Sequence, residues 1–252
     1  MSVAEKLTTI AENQQKVYDA GYAAGQAEGG GGDPWQGLRD LVASKTQMNS
    51  FFAYSSMAEF PSGLDTSNST SFNSMFANCT NLVTSPVIDT AKGKDFTNMY
   101  NGDSNLAGTV ELDLSSINGS YTVSSLFQNC GKVEKVILKN ARGIVNLIYT
   151  FFGCKSLVTI EGSIDLSATT STNNAFARCD SLKDIRFVAG SIRVSISFSE
   201  SEVLSNESTQ SILDGLADLT GVTTQTLTLH KNIVLTDEQK ATISSKNWTL
   251  VQ

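Results

Sequence analysis

The side chains best suited to chemistry in this 252-residue chain are four cysteines, one histidine and a recurring aspartate. Cys79, Cys130, Cys154 and Cys179 stand 51, 24 and 25 residues apart. A zinc site needs four nitrogen or sulfur ligands brought together, usually through CxxC pairs or paired histidines, and none occurs, so no metal is expected. Spacings of one and two repeat periods instead suit small buried residues that recur once per structural unit. Asp65, Asp89, Asp113 and Asp165 invite comparison with the paired acids of a polysaccharide depolymerase. A catalytic pair needs two environments that push two pKa values apart, whereas a repeated position offers one environment each time. Turn-forming Asx residues are the expected role. His230 lies in an alternating strand with no serine or cysteine nucleophile in a motif beside it, and is expected at or near the surface. Gly29 to Gly32 form no phosphate loop, because no strand precedes them and no Gly-Lys-Ser/Thr follows. No catalytic residue and no cofactor is therefore expected, and the chain is read as a non-enzyme.

Charge narrows the partners. Twenty-five acidic against 18 basic residues give a net charge of -7 with no concentrated basic patch, which disfavours nucleic acid. The most apolar stretch, Gly143 to Gly153, is broken by Asn146 and falls far short of the roughly 20 residues a bilayer needs, so no membrane insertion is expected. The opening MSVAEKLTTIAENQQ has no basic n-region, apolar h-region or cleavage site, so no signal peptide is expected.

The cysteines point to the element that positions them. An aromatic anchor recurs as Phe52, Phe76, Tyr100, Phe127, Phe151 and Phe176. Three residues after each come Ser55, Cys79, Asp103, Cys130, Cys154 and Cys179; six after, Ala58, Leu82, Leu106, Val133, Leu157 and Leu182. An alternating stretch follows, clearest at Val133, Val136, Leu138 and at Leu182, Ile185, Phe187, and then a turn at Asp65, Asp89, Asp113, Asn140 or Asp165. A unit of 24–27 residues with one strand and one helical turn buries nothing alone but buries a continuous column when stacked. Six units at the strand spacing of about 4.8 Å make a slab roughly 25 Å thick.

The flanks differ. Val3, Leu7, Ile10, Gln14, Val17, Gly21 and Ala24 follow 4-3 spacing, which predicts a coiled-coil oligomerisation helix over residues 1–28, about 40 Å long. An amphipathic helix packed on its own domain is the competing reading. The four glycines form a hinge, and Asp33-Pro34-Trp35 opens a short helix through about Val42, giving a hinge and N-terminal cap over 29–49. The repeats occupy 50–198, where the period ends. Residues 199–252 form an α+β C-terminal cap, with a helix over 205–219, a strand over 223–229, a capping box at Thr236 to Gln239 and a strand at Trp248 to Leu250.

The pattern aromatic-x-x-Cys-x-x-Leu-x-x-Ile, present as FANCTNLVTS, FQNCGKVEKV, FFGCKSLVTI and FARCDSLKDI, resembles the BspA-like leucine-rich repeat over residues 50–190. The resemblance implies an α/β solenoid. It departs at Ser55 and Asp103, where the family places Cys, and lacks the family's frequent Leu-Pro. The opening MSVAEKLTTIAENQQKVYDAGYAAG and the closing LADLTGVTTQTLTLHKNIVLTDEQKATISSKNWTLVQ are similar to the ends of tail-associated proteins of phages and prophages of gut Firmicutes, which implies a virion location.

These readings combine into an expected phage virion protein made in the host cytoplasm. It trimerises through the N-terminal helix, contacts other virion proteins and presents its repeat surface to a host cell-surface glycan or protein. Lys135, Arg186 and Arg193, with Tyr121 and Tyr149 nearby, are the candidate receptor surface. A head or tail decoration protein is the first alternative. A bacterial surface adhesin is the second, and would require a signal peptide and wall anchor.

Overall fold

The computed structural model describes Asp33 and residues 35–252, so the expected coiled-coil positions Val3 to Ala24 lie outside the described residues. Helix α1, Gln36–Ala43, turns Leu38 and Val42 onto the first repeat. Its N-terminus has no side-chain cap on Trp35; the Asp33 carboxylate instead accepts the Trp35 N–H at 3.0 Å.

Strands β1 (Ala107–Asp113), β3 (Lys132–Lys139), β5 (Thr159–Ile164) and β6 (Asp184–Phe187) form a parallel sheet in that order. Strands β2 (Tyr121–Thr122) and β4 (Ile144–Asn146) make a second, parallel pair. Each strand pairs with the same segment of the next unit, as the repeat requires. In β3 the alternation is direct: Val133, Val136 and Leu138 are buried while Lys132, Glu134 and Lys139 are exposed. The first two units depart from expectation. No strand forms after Phe52 or Phe76, because Pro61 and Pro86 each remove a ladder N–H; the Val83 N–H still donates to the Ala58 carbonyl and the Ala107 N–H to the Val83 carbonyl. Ala58, expected inside, is exposed, and Phe60 packs on the rings of Phe52 and Phe76 at 4.6 and 5.1 Å.

The anchors form one column. Phe52, Phe76, Tyr100, Phe127, Phe151 and Phe176 stack face to face with centroids 5.3–5.8 Å apart, all nearly or fully buried. Phe198 adds a seventh ring, 4.8 Å from Phe176, followed at the same offsets by buried Ser201 and Leu204. The period therefore runs one unit beyond the expected end; its ring follows Phe176 by only 22 residues and its unit lacks the cysteine, which hides it.

Around each ring the backbone makes three overlapping turns. In the second unit Met75, Ala77 and Cys79 donate to Phe72, Ser74 and Phe76, while Ser74, Phe76 and Asn78 donate to the next unit at Thr97, Met99 and Asn101. Ser74 and Asn78 sit at φ 55° and 61°, the third positions of two type II turns, where a left-handed residue is required. The same two offsets, two residues before and two after the anchor, are left-handed in all six units. That geometry favours Gly and Asn, and explains why these positions are so polar.

The C-terminal end holds α2 (Asn206–Gly215), β8 (Gln225–Leu229), α3 (Asp237–Ser245) and β9 (Trp248–Val251), with β7 (Ile196–Phe198), β8 and β9 forming a parallel sheet. Ser205 caps α2 and Thr236 with Gln239 completes the capping box of α3. The expected 205–219 helix stops at Gly215, because Leu216 turns extended and bridges Ile192 in parallel.

Candidate binding surface

The cysteines occupy one internal column beside the rings. Each thiol donates to the carbonyl of the preceding anchor: Cys79 to Phe52 at 3.0 Å, Cys130 to Tyr100 at 2.9 Å, Cys154 to Phe127 and Cys179 to Phe151 at 3.1 Å. Burial raises all four thiol pKa values, Cys79 to about 12, so they are protonated and unreactive at neutral pH. No group of three or more metal-ligating side chains occurs among the described residues.

Asp103 takes the cysteine's place in the third unit and is fully buried. One oxygen accepts the Cys79 backbone N–H at 2.8 Å; the other has no hydrogen-bond partner. Burial pushes its pKa up to about 9, leaving it a neutral acid at pH 7. Such a shift is a functional-site signal when the group lines a cleft. Here it faces Cys79, Tyr100 and Cys130 inside the column, away from any substrate.

The repeated acids take the turn role. Asp65, Asp89, Asp113 and Asp165 accept the backbone N–H two residues on, at 2.8–3.0 Å. Hydrogen bonds from Ser67 and Ser115 hold the Asp65 and Asp113 carboxyls below their ordinary value. His230 is half-buried, its Nδ1 accepting the Asn232 N–H at 3.2 Å.

The expected receptor residues scatter. Tyr121 is a correction: only 1% exposed, it sits edge-on to Phe96 at 5.9 Å, its hydroxyl unpartnered. The cause is strand alternation, since Tyr121 and Val123 turn inward while Ser120 and Ser124 do not. Lys135 pairs with Glu161 on the four-stranded sheet. Arg186 is half-buried, its Nη1 donating to the Ile185 carbonyl and to Ser208 Oγ at 2.9 and 2.8 Å, which ties it to α2. Arg193 is exposed in the segment between β6 and β7.

Tyr149 alone gathers neighbours suited to recognition. It is 36% exposed and left-handed at φ 54°. The Phe152 ring lies edge-on to it at 5.4 Å, and the Arg178 guanidinium sits 5.1 Å from the Phe152 centroid. Phe152 and Arg178 are not found by searching for charge or motif; comparing the same offset across units reveals them. At the Phe152 offset the other units hold Ala53, Ala77, Asn101, Gln128 and Ala177. A concavity of about 450 Å³ lies elsewhere, where Leu204, Asn206 and Thr209 meet Ile233 and Gln239, with Glu202 on its wall.

No helix among the described residues is long and apolar enough to cross a membrane. Comparison with family models, curated proteins and solved structures finds no match to this chain.

Proposed function

We propose that this chain is a phage virion protein of leucine-rich-repeat solenoid type that presents its repeat surface to a host cell-surface receptor and performs no catalysis. The single observation that carries the reading is the contrast between columns. Ring and leucine positions stay nearly constant from unit to unit and the thiol recurs in four of six, while the position after each ring changes freely where it is half-buried, as between Gln128, Phe152 and Ala177. A rigid stack with variable outward positions is how quasi-one-dimensional repeats build recognition surfaces. The virion location rests on the resemblance of residues 1–25 and 216–252 to the ends of phage tail-associated proteins. Trimerisation through Val3 to Ala24 would link three heads and raise their effective concentration at a surface, so weak single contacts suffice.

The test is adsorption. Purified full-length chain, fluorescently labelled, is expected to bind cells of the bacterium infected by the encoding phage and to slow phage adsorption in competition. Absence of binding by the intact oligomer, together with hundreds of copies on the capsid in a virion reconstruction, would favour the decoration protein instead.

A further inference from the structure

We infer that Tyr149, Phe152 and Arg178 form a binding subsite for a neutral pyranose ring; this deepens the receptor reading above and rests on it. The repeat itself states what the fold needs at these offsets. Two residues before the anchor it accepts Ser50, Ser74, Asn98, Ser125 and Asn174; two after, Asn78, Gly102, Asn129 and Gly153. Those are small or amide residues, as left-handed turn positions favour. Tyr149 at φ 54° and Arg178 at φ 59° break the rule in adjacent units, and both contact Phe152, which replaces alanine or an amide. The remaining exception, Tyr54, has no such partners: it stands four units away at the other end of the stack. Two bulky side chains held in an unfavourable backbone region and meeting on one ring are the observation from which the binding role is argued.

The chemistry of the cluster selects its occupant. An exposed phenol ring accepts the C–H face of a pyranose, and the half-exposed Phe152 edge extends that surface. Neutral hydrogen-bonding groups occupy the matching offsets of the adjacent units, Ser125, Gln128 and Asn129 before and Asn174 after, and the Asn129 N–H donates to the Phe152 carbonyl at 2.7 Å. They match sugar hydroxyls, with the fork of Arg178 supplying further donors. Charge excludes a polyanion. The Glu200 carboxylate accepts the Arg178 backbone N–H, so the patch carries cation and anion together, on a chain of net charge -7. A protein partner would call for a larger dry apolar centre than one tyrosine face and one phenylalanine edge.

The repeat also supplies substitutions already compatible with the fold. Tyr149→Asn copies Asn98 and Asn174, Phe152→Gln copies Gln128, and Arg178→Asn copies Asn78 and Asn129. Saturation-transfer NMR on the full chain, with methyl glycosides of glucose, galactose, mannose and N-acetylglucosamine in roughly the millimolar range, reads the contact directly. The expected result is transfer to the ring C–H protons of at least one neutral sugar, reduced by roughly tenfold or more in each variant. No transfer to any neutral sugar, transfer unchanged in Tyr149→Asn, or stronger transfer to glucuronate would each overturn the subsite. Equal cell adsorption by wild type and Tyr149→Asn overturns the subsite but leaves the receptor reading standing. Tyr149-dependent sugar transfer without cell adsorption does the reverse.

Discussion

The Asp103 carboxyl accepts the backbone N–H of Cys79, one unit earlier in the stack, at 2.8 Å, from a position where the neighbouring units place a thiol. Its second oxygen is buried without a partner. The folded chain keeps the Asp103 proton up to about pH 9, whereas the unfolded chain releases it near the ordinary 3.8. The folded state thus binds more protons across this window, so its stability is greatest below the lower value and falls as pH rises to the upper one. The slope approaches 1.4 kcal/mol per pH unit at most, about.

Asp103→Cys should remove that slope. The Cys79 N–H keeps its second acceptor, the Phe76 carbonyl at 3.1 Å, and the new thiol can copy the bond its neighbours make. Denaturant titrations at about pH 5 and pH 8 check it: the variant should be more stable than wild type by a few kcal/mol at the higher pH, and the gap should narrow at the lower. Equal pH dependence in both chains would contradict a buried neutral acid.

Phe127→Ala deletes one ring between Tyr100 and Phe151, at 5.6 and 5.8 Å from its neighbours. The cost should be about 3–5 kcal/mol, because packed units on both sides limit collapse of the cavity. Thermal melting should fall by about 10 °C. An unchanged midpoint would mean the ring column does not hold the stack.

Tyr149→Asn should raise stability. Tyrosine at φ 54° bears a left-handed cost of about 1–2 kcal/mol that asparagine largely avoids, and the 36% exposed ring contributes modest burial in return. A gain of about 0.5–1 kcal/mol in urea denaturation is expected. A clear loss would show that the ring is there for packing.

Thiol chemistry offers a simple check of register. Cys79, Cys130, Cys154 and Cys179 are all 0% exposed, and burial holds their pKa values up. A disulfide reagent such as dithionitrobenzoate should leave the folded chain unlabelled and modify all four after unfolding in guanidinium. Rapid labelling of any one in the native state would place it on the wrong side of its unit.

Much of this was legible because the repeat writes the same physics several times. Recurrence of Phe127, Cys130 and Val133 at constant offsets in six units identified the inward columns, and Asp113 or Asp165 the turns, without reference to any contact. Recurrence failed where one unit departs from the rest. The Ala58 column points inward in the other units, but Pro61 breaks its strand and Phe60 fills the space. Phe198 escapes the sequence pattern as a seventh ring because its unit has Ser201 for cysteine. Tyr121, expected on the receptor surface, lies inside, and the alternation of Tyr121 with Val123 is the signal that turns it inward. For the candidate site, Phe152 is legible as the one aromatic in its column, but Tyr149 and Arg178 stand out only once their offsets are known to be left-handed. That is a backbone property, invisible in residue type until the turns are seen.

Two sets of residues separate: columns that make the structure, and the three exceptions proposed to make the contact. The triple variant Tyr149→Asn, Phe152→Gln and Arg178→Asn, which restores residues found elsewhere in each column, tests that separation directly. Cell adsorption and thermal midpoint are measured on the same preparation. Adsorption should be lost with the midpoint unchanged or higher; adsorption retained, or a midpoint lowered by more than about 5 °C, would show that the two sets are not separate.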